Sequence, residues 1–395
     1  MSVTVKTSEN VENADTDRDT PAPHIHVEER KLSLHDFLKT LIKVKGSDLH
    51  LQSGSVPMIR VDGRARFLDC QAPDDATMKE YVDAIINAQG EPAERRQILE
   101  HRGAVDVAYS LAGQARFRTN IFHSREKFAV TMRRIVTKIP NFEELNLPPQ
   151  VETLADFSRG VVVVSGTTGS GKSTTLAALI GKINRTRAER IITVEDPIEY
   201  QHENAKALVS QVEVGTDSES YEYALRSMMR QDPDTILIGE IRDPFSLAVA
   251  LRAADTGHLV FTTVHANNAP QTIQRMVSLF DPDQKELQQT QLAANLNAII
   301  CQRLAKKREG KGRIPVVEIM MATPLVRKNI MDGEFDKLKG AVGNRESGSQ
   351  SFDQHLTDLF QKQIIDVNEA TRLASNIDAL KLALRGISNS DTRLR

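Results

Sequence analysis

The chain has 395 residues, 40% hydrophobic and 26% charged, which is enough for two domains with a core each. Its 51 basic residues face 53 acidic ones, and a net charge of -2 argues against a dedicated nucleic-acid binder, which would need a basic face. Only two cysteines, Cys70 and Cys301, stand far apart, so the sequence supports neither a zinc site nor a disulfide framework and fits a reducing compartment. No apolar run approaches the roughly 20 residues of a membrane span, and the N-terminus shows no apolar signal core. The expectation is a cytoplasmic protein that meets a membrane only through partners.

Residues 1–31 are polar and acid-leaning (Glu9, Glu12, Asp15, Asp17, Asp19, Glu28, Glu29) and read as a disordered tail. From Leu34, apolar residues recur at helical spacing (Phe37, Leu38, Leu41, Ile42) behind Ser33 as N-cap. Gly46-Ser47-Asp48-Leu49-His50-Leu51 turns into a strand, and Asp62-Gly63 marks a hairpin between strands at 58–61 and 65–68. Helices are expected over 77–88 and 92–100, then strands over 105–111, 115–122 and 128–135. Strands with helices to one side predict a small α+β domain over 32–145. On a strand, Arg116, Arg118 and Asn120 share one face and Phe117, Thr119 and Ile121 the other. Prolines at 140, 148 and 149 mark a linker over 146–157.

Beyond it, apolar strands (161–165, 191–194, 235–238, 259–263) alternate with helical patterns, as in a doubly wound parallel sheet with helices on both faces. This domain is expected over 158–375. Its later part, from Gln284, reads as mostly helical, with a soft loop at 343–351 and a tail over 376–395.

Gly166-Thr167-Thr168-Gly169-Ser170-Gly171-Lys172-Ser173 follows the first of these strands and opens a helix that begins with Thr174 and Thr175. The spacing is that of a phosphate-binding loop. Glycines let backbone N–H groups curl round phosphate oxygens, the helix start adds its positive end, Lys172 reaches the β- and γ-phosphates, and Ser173 offers a hydroxyl to Mg²⁺. Hydrolysis also needs a residue that activates water and a second Mg²⁺ anchor. Glu240 ends the strand 235–238 and can hold Mg²⁺ or orient water. Glu195, Asp196 and Glu199 crowd another strand end; one of them is expected as general base, with a capping role before Pro197 as the alternative for any single one. His258 and His265 bracket the strand 259–264, and His265 is placed to sense a γ-phosphate.

These blocks occur in a fixed order: the loop; Val194-Glu195-Asp196-Pro197-Ile198-Glu199-Tyr200; Arg230-Gln231-Asp232-Pro233-Asp234 leading to Gly239-Glu240; and Thr256-Gly257-His258 to His265-Ala266-Asn267-Asn268-Ala269. They resemble the Walker A, Asp box, Walker B and His box of the type II/type IV secretion ATPase superfamily. Within it the chain looks most like the pilus retraction ATPases of the PilT and PilU type. The resemblance spans about residues 33–375. It implies a RecA-like ATPase domain behind a PAS-like N-terminal domain, with ATP and Mg²⁺ bound at Gly166–Thr174 and His258. It implies Glu199 as general base, Glu240 as Walker B carboxylate, and Arg116, Arg118 and Arg133 as arginines that meet the nucleotide. It also implies a homohexameric motor for pilus retraction and twitching motility, docked on an inner-membrane platform protein, with no nucleic-acid partner. A pilus assembly or type II secretion ATPase, or a low-turnover nucleotide-binding scaffold, is the alternative. The stretch Thr323-Pro324-Leu325-Val326-Arg327-Lys328-Asn329-Ile330 only partly matches the PilT signature and, with Gly333–Lys339, is more similar to the PilU branch, which implies work beside a second retraction ATPase.

Overall fold

A computed structural model describes residues 25–26, 32–61, 63–88, 92–135, 139–310 and 312–385. Apart from Ile25–His26, the tail expected over 1–31 lies outside the described residues, and so does Asp62 of the hairpin turn. Contacts divide the chain into two compact units, 1–137 and 138–395.

In the first unit seven strands form one sheet: β1 (Ile25–His26), β2 (Asp48–Gln52), β3 (Ser55–Val61), β4 (Arg64–Asp69), β5 (Ala104–Leu111), β6 (Ala115–Ser124) and β7 (Lys127–Ile135), in the order β1-β4-β3-β2-β7-β6-β5. Pairing is antiparallel except for β1 on β4. Helix Leu34–Lys43 begins as the sequence predicts. The Ser33 hydroxyl accepts the Asp36 N–H, and the Asp36 carboxylate accepts the Ser33 N–H in return. The periodic residues Leu34, Phe37, Leu38 and Leu41 are buried with Met78, Val82, Ile85 and Ile86 of helix Asp75–Asn87. Against them lies one sheet face: Leu49, Leu51, Ile59, Phe117, Ile121, Val130 and Met132. Alternation then leaves Asp48, His50, Arg118, Asn120, Thr131 and Arg133 on the other face.

The second unit is built on β8 (Gly160–Ser165), β9 (Arg190–Glu195), β10 (Leu208–Glu213), β11 (Thr235–Ile238), β12 (Leu259–Val264), β13 (Leu296–Lys306) and β14 (Arg313–Met321). Their order is β10-β9-β11-β12-β8-β13-β14, all parallel except the β13–β14 pair. Every residue of β8 is buried, because successive valines serve two different cores. Val161 and Val163 pack with the helices over 221–228, 244–255 and 269–277, whereas Val162 and Val164 pack with helix Lys172–Thr186. This is the doubly wound α/β sheet that the alternating pattern predicts.

Four strands depart from expectation: β1, which lies in the stretch read as a disordered tail, and β10, β13 and β14. β10 falls between the expected strand 191–194 and the next helix, in a stretch for which no element is expected. The long hairpin β13–β14 replaces part of a region read as mostly helical. Its apolar residues continue helix Pro282–Asn295 without a break, so spacing alone suggests more helix. What makes Leu296–Lys306 a strand is lateral: β8 offers an open edge, and Ile299, Ile300 and Cys301 pair with Val163, Val164 and Ser165. The stretch read as a linker carries helix Pro149–Thr153, whose Val151 is fully buried together with Leu154. At the far end, helix Ile377–Leu384 buries Leu380 in the opposite core.

Candidate nucleotide site

In a parallel sheet whose faces are both covered, open chemistry is confined to the strand ends. Four neighbouring strands, β9, β11, β12 and β8, deliver residues to their carboxyl ends. From β8 the chain enters the loop Gly166–Gly171 and then helix Lys172–Thr186, whose N-cap, Gly171, has φ +94° and no side-chain cap. The first-turn N–H groups are therefore left to face whatever the loop holds. Gly166 (φ +148°) allows no side chain: a Cβ there would stand 2.5 Å from the Gln302 carbonyl oxygen and 2.6 Å from the Ser170 hydroxyl. The Ser170 hydroxyl is buried without a hydrogen-bond partner.

Lys172 is only 9% exposed. Its ammonium turns back on the loop, donating to the carbonyls of Gly166 (2.9 Å) and Thr167 (3.2 Å). Burial pulls its pKa below the usual lysine value, and the negative charges of Glu240 and Glu199 work against that pull. From Lys172 a polar chain crosses the strand ends. The ammonium lies 3.5 Å from His265 Nδ1, at the end of β12, and His265 Nε2 lies 3.2 Å from Glu240, just past β11. An ammonium can only donate, so Nδ1 accepts and the neutral imidazole gives its Nε2–H to Glu240. The other Glu240 oxygen accepts from Arg242 Nε at 2.8 Å, and Arg242 reaches Asp196, past β9, at 3.8 Å. The Tyr221 hydroxyl steadies the same corner, accepting the Glu240 N–H (3.1 Å) and donating to its carbonyl (2.9 Å).

The three acids at the carboxyl end of β9 are not equivalent. Glu195 accepts from Thr193 Oγ1 (2.7 Å) and Gln211 Nε2 (3.1 Å); burial pushes its carboxyl up to about 6 despite those bonds. Asp196 is exposed and faces Arg242. Glu199 is exposed, and its charge is felt by Lys172. Strand β10 holds this segment in place. Gln211 donates to the Tyr200 carbonyl and accepts the His202 N–H, both at 2.8 Å, while Glu213 accepts the Ile198 N–H at 3.2 Å. Tyr200 in turn shares a 2.8 Å bond with Thr174, beside the loop.

The structure does not bring His258 to this cluster. Gly160 N–H donates to the His258 carbonyl, at the amino ends of β8 and β12. A six-residue strand, roughly 20 Å long, separates it from His265. Its ring is engaged locally by the Ala253 carbonyl (2.8 Å) and Thr256 (3.1 Å). Two histidines that bracket a strand are, by strand geometry, as far apart as that strand allows.

Arg116, Arg118 and Arg133 belong to the first unit. Arg118 and Arg133 are direct cross-strand partners on β6 and β7, and an open hollow of about 310 Å³ is lined by Asp48, Asp106, Arg118, Asn120, Thr131 and Arg133. Arg133 Nε donates to the buried Asp48 carboxylate at 2.8 Å. Burial works to raise the Asp48 pKa, but hydrogen bonds from Ser47 and Arg133 outweigh it and hold the carboxyl below its ordinary value. Sequence reasoning missed Arg242, Tyr221, Gln211 and Gln302. Arg242 was signalled by its place two residues past Glu240; the other three come from distant segments that only the sheet brings near.

The loop fits a nucleotide phosphate: Gly166 and Gly171 run where a Cβ would strike Gln302, the buried Ser170 hydroxyl has no partner, and the buried Lys172 ammonium lies on the loop carbonyls. Anion capture by a backbone loop and one lysine, beside a carboxylate from the next strand but one, is how P-loop nucleotide-binding proteins grip a triphosphate, and the fold puts the chain in that class. Comparison with known proteins narrows the class. Residues 31–372 match the family model described as type II/IV secretion system protein, and the chain belongs to that family. It is 37% identical to the type IV pilus ATPase PilU of Pseudomonas aeruginosa, over 91% of this chain and 93% of that one. Identity to the type IV pilus retraction ATPase PilT of the same organism is 38%, over 87% and 98%. A crystal structure of the pilus retraction motor PilT with bound ADP superposes with a TM-score of 0.81 at 36% identity, covering 89% of this chain and 99% of that chain.

Proposed function

We propose that this chain is an ATPase motor that drives retraction of a type IV pilus, acting as a homohexamer at the cytoplasmic face of the inner membrane on a pilus platform protein. Similarity over nearly the whole length of PilU and PilT supports the assignment. Among the described residues no helix is long and apolar enough to cross a membrane, which fits docking through partners. The observation that carries the catalytic part is the continuous polar chain Lys172–His265–Glu240 across three strand ends.

In this reading Lys172 exchanges the Gly166 and Thr167 carbonyls for the β- and γ-phosphates of ATP, and Gly166–Thr174 wrap the phosphates. Mg²⁺, held by Ser173 and Glu240, would neutralise charge on the phosphate oxygens. Glu199 receives the proton of the attacking water, because Glu195 is already tied to Thr193 and Gln211. His265, releasing Glu240, reports the γ-phosphate. Arg116, Arg118 and Arg133 supply positive charge to the developing transition state, from whichever copy of the ring presents them. The accessory form of this function, work beside a second retraction ATPase, is favoured by helix Pro324–Met331, where the PilT signature is only partly kept.

The test is Lys172→Ala in purified protein and in a pilus-bearing strain. Steady-state ATPase should fall at least 10³-fold, on the scale of phosphate-clamp losses, and retraction should stop. Near-parental turnover by that variant would refute the site assignment. Failure of the parental protein to drive retraction once a second retraction ATPase is deleted identifies the accessory form.

A further inference from the structure

The strand that sequence reading took for helix also supplies the wall of the phosphate loop. Cys301 pairs with Ser165, the last residue of β8, so Gln302 runs alongside Gly166, the first residue of the loop. It makes three contacts with the loop region. Its backbone carbonyl oxygen stands 2.5 Å from where a Gly166 Cβ would be. Its side-chain Nε2 stands 2.7 Å from where a Gly171 Cβ would be. Its Oε1 accepts the Thr175 hydroxyl at 2.8 Å, in the first turn of the helix. Gln302 is 4% exposed and Thr175 1%. One residue from a distant part of the chain thus touches the start of the loop, its end and the helix that follows.

We infer that Gln302 is a positioning residue for nucleotide binding: it fixes the curvature of the loop and the register of the helix start, so that the backbone N–H groups converge on phosphate. The inference rests on the reading of this loop as the ATP site. The physics favours a specific role over bulk packing. A buried amide–hydroxyl bond is directional, and leaving either partner unpaired in the interior costs more than the bond itself contributes. The glycines at 166 and 171 have no side chains with which to hold themselves in place, so their conformation depends on the wall they lie against. Gln302 is buried and bonded to the helix, so its loss should loosen ground-state grip on the nucleotide and leave the carboxylates of β9 and β11 in place.

The experiment uses the full chain and three variants: Gln302→Ala, Thr175→Val (near-isosteric, hydroxyl removed) and the double variant. Kd for ADP is measured by titration, and KM and kcat for ATP at saturating Mg²⁺. Each single variant should raise Kd and KM about 10-fold, the scale of one buried hydrogen bond, with kcat at saturation within about twofold of the parent. The double variant should be no weaker than the worse single one, because both remove the same bond. If Gln302→Ala fails to fold, Thr175→Val and Gln302→Met carry the same test, since both nearly keep the volume and remove the amide–hydroxyl bond. Unchanged Kd and KM in Thr175→Val and the folded Gln302 variant would overturn the inference, as would equal losses of kcat with KM intact. If the parent itself binds no ADP, the reading of the loop fails; if the parent binds and the variants bind equally, only the role of Gln302 fails.

Discussion

The two sheets present function in opposite ways. In 138–395 the parallel sheet has a core on each face, so no side chain along its central strands reaches solvent and everything reactive lies past a strand end. In 1–137 the sheet has a core on one face only, and its polar residues line up across strands at every second position. Site residues of the first kind come in contiguous blocks, because a loop is a contiguous thing. Those of the second kind are scattered over residues 48–133, joined only by register. A covered sheet therefore announces its site in the sequence, and a half-bare sheet disperses it.

The sharpest way to break this contrast is to remove charge from the half-bare face. Arg118→Ala and Arg133→Ala should each lower kcat on the order of 10²-fold while ADP Kd stays within about threefold, because such arginines act on charge that develops in phosphoryl transfer. Normal kcat in both variants would leave that face a solvated surface and confine catalysis to the parallel sheet. The loop can be probed by backbone alone. Gly166→Ala should lower unfolding stability by on the order of 2 kcal/mol, through a forbidden φ and a clash with the Gln302 carbonyl. Gly169→Ala, at φ +78° with open space around it, should cost about half that in the same denaturant titration. Equal losses at the two positions would mean that the wall beside Gly166 is not constraining it.

The smallest effect concerns a charge that the covered sheet has buried. Glu318 on β14 accepts the Ala269 N–H at 2.7 Å, and burial pushes its carboxyl up to about 7. The folded state then holds a proton that the unfolded chain releases near 4.5, so this contribution to stability is full below about 4.5 and is lost as pH rises through about 7. Glu318→Gln should flatten the decline in melting temperature between pH 5 and pH 8. The acid limb should persist. Burial pulls His355 down to about 4, so its contribution is present above about 6.5 and lost as pH falls toward 4. An unchanged alkaline decline in Glu318→Gln would assign that decline to another group.

Legibility followed a different division, between what depends on near neighbours in the chain and what depends on distant ones. The loop from Gly166 to Ser173, the capped helix at Ser33, the six longer strands of the first sheet and the alternation of Arg118 with Phe117 could all be read locally, since each depends on spacing within a few residues. The β13–β14 hairpin could not, because its reason for existing is the free edge of β8, more than a hundred residues earlier. For the same cause Gln302, Gln211 and Tyr221 went unseen: nothing beside them in the chain marks them. His258 was misplaced by a rule that ignores direction. Strand ends matter, but only the carboxyl ends of parallel strands converge, and His258 stands before β12 whereas His265 stands after it.

The late arrival of β13 bears on synthesis. A ribosome that has delivered the glycine loop, its lysine and each acid at the carboxyl ends of β9 and β11 has still to deliver the rampart against which the loop leans. A nascent or prematurely stopped polypeptide ending before Leu296 would carry the glycine loop, its lysine and those acids without the strand that the loop leans against.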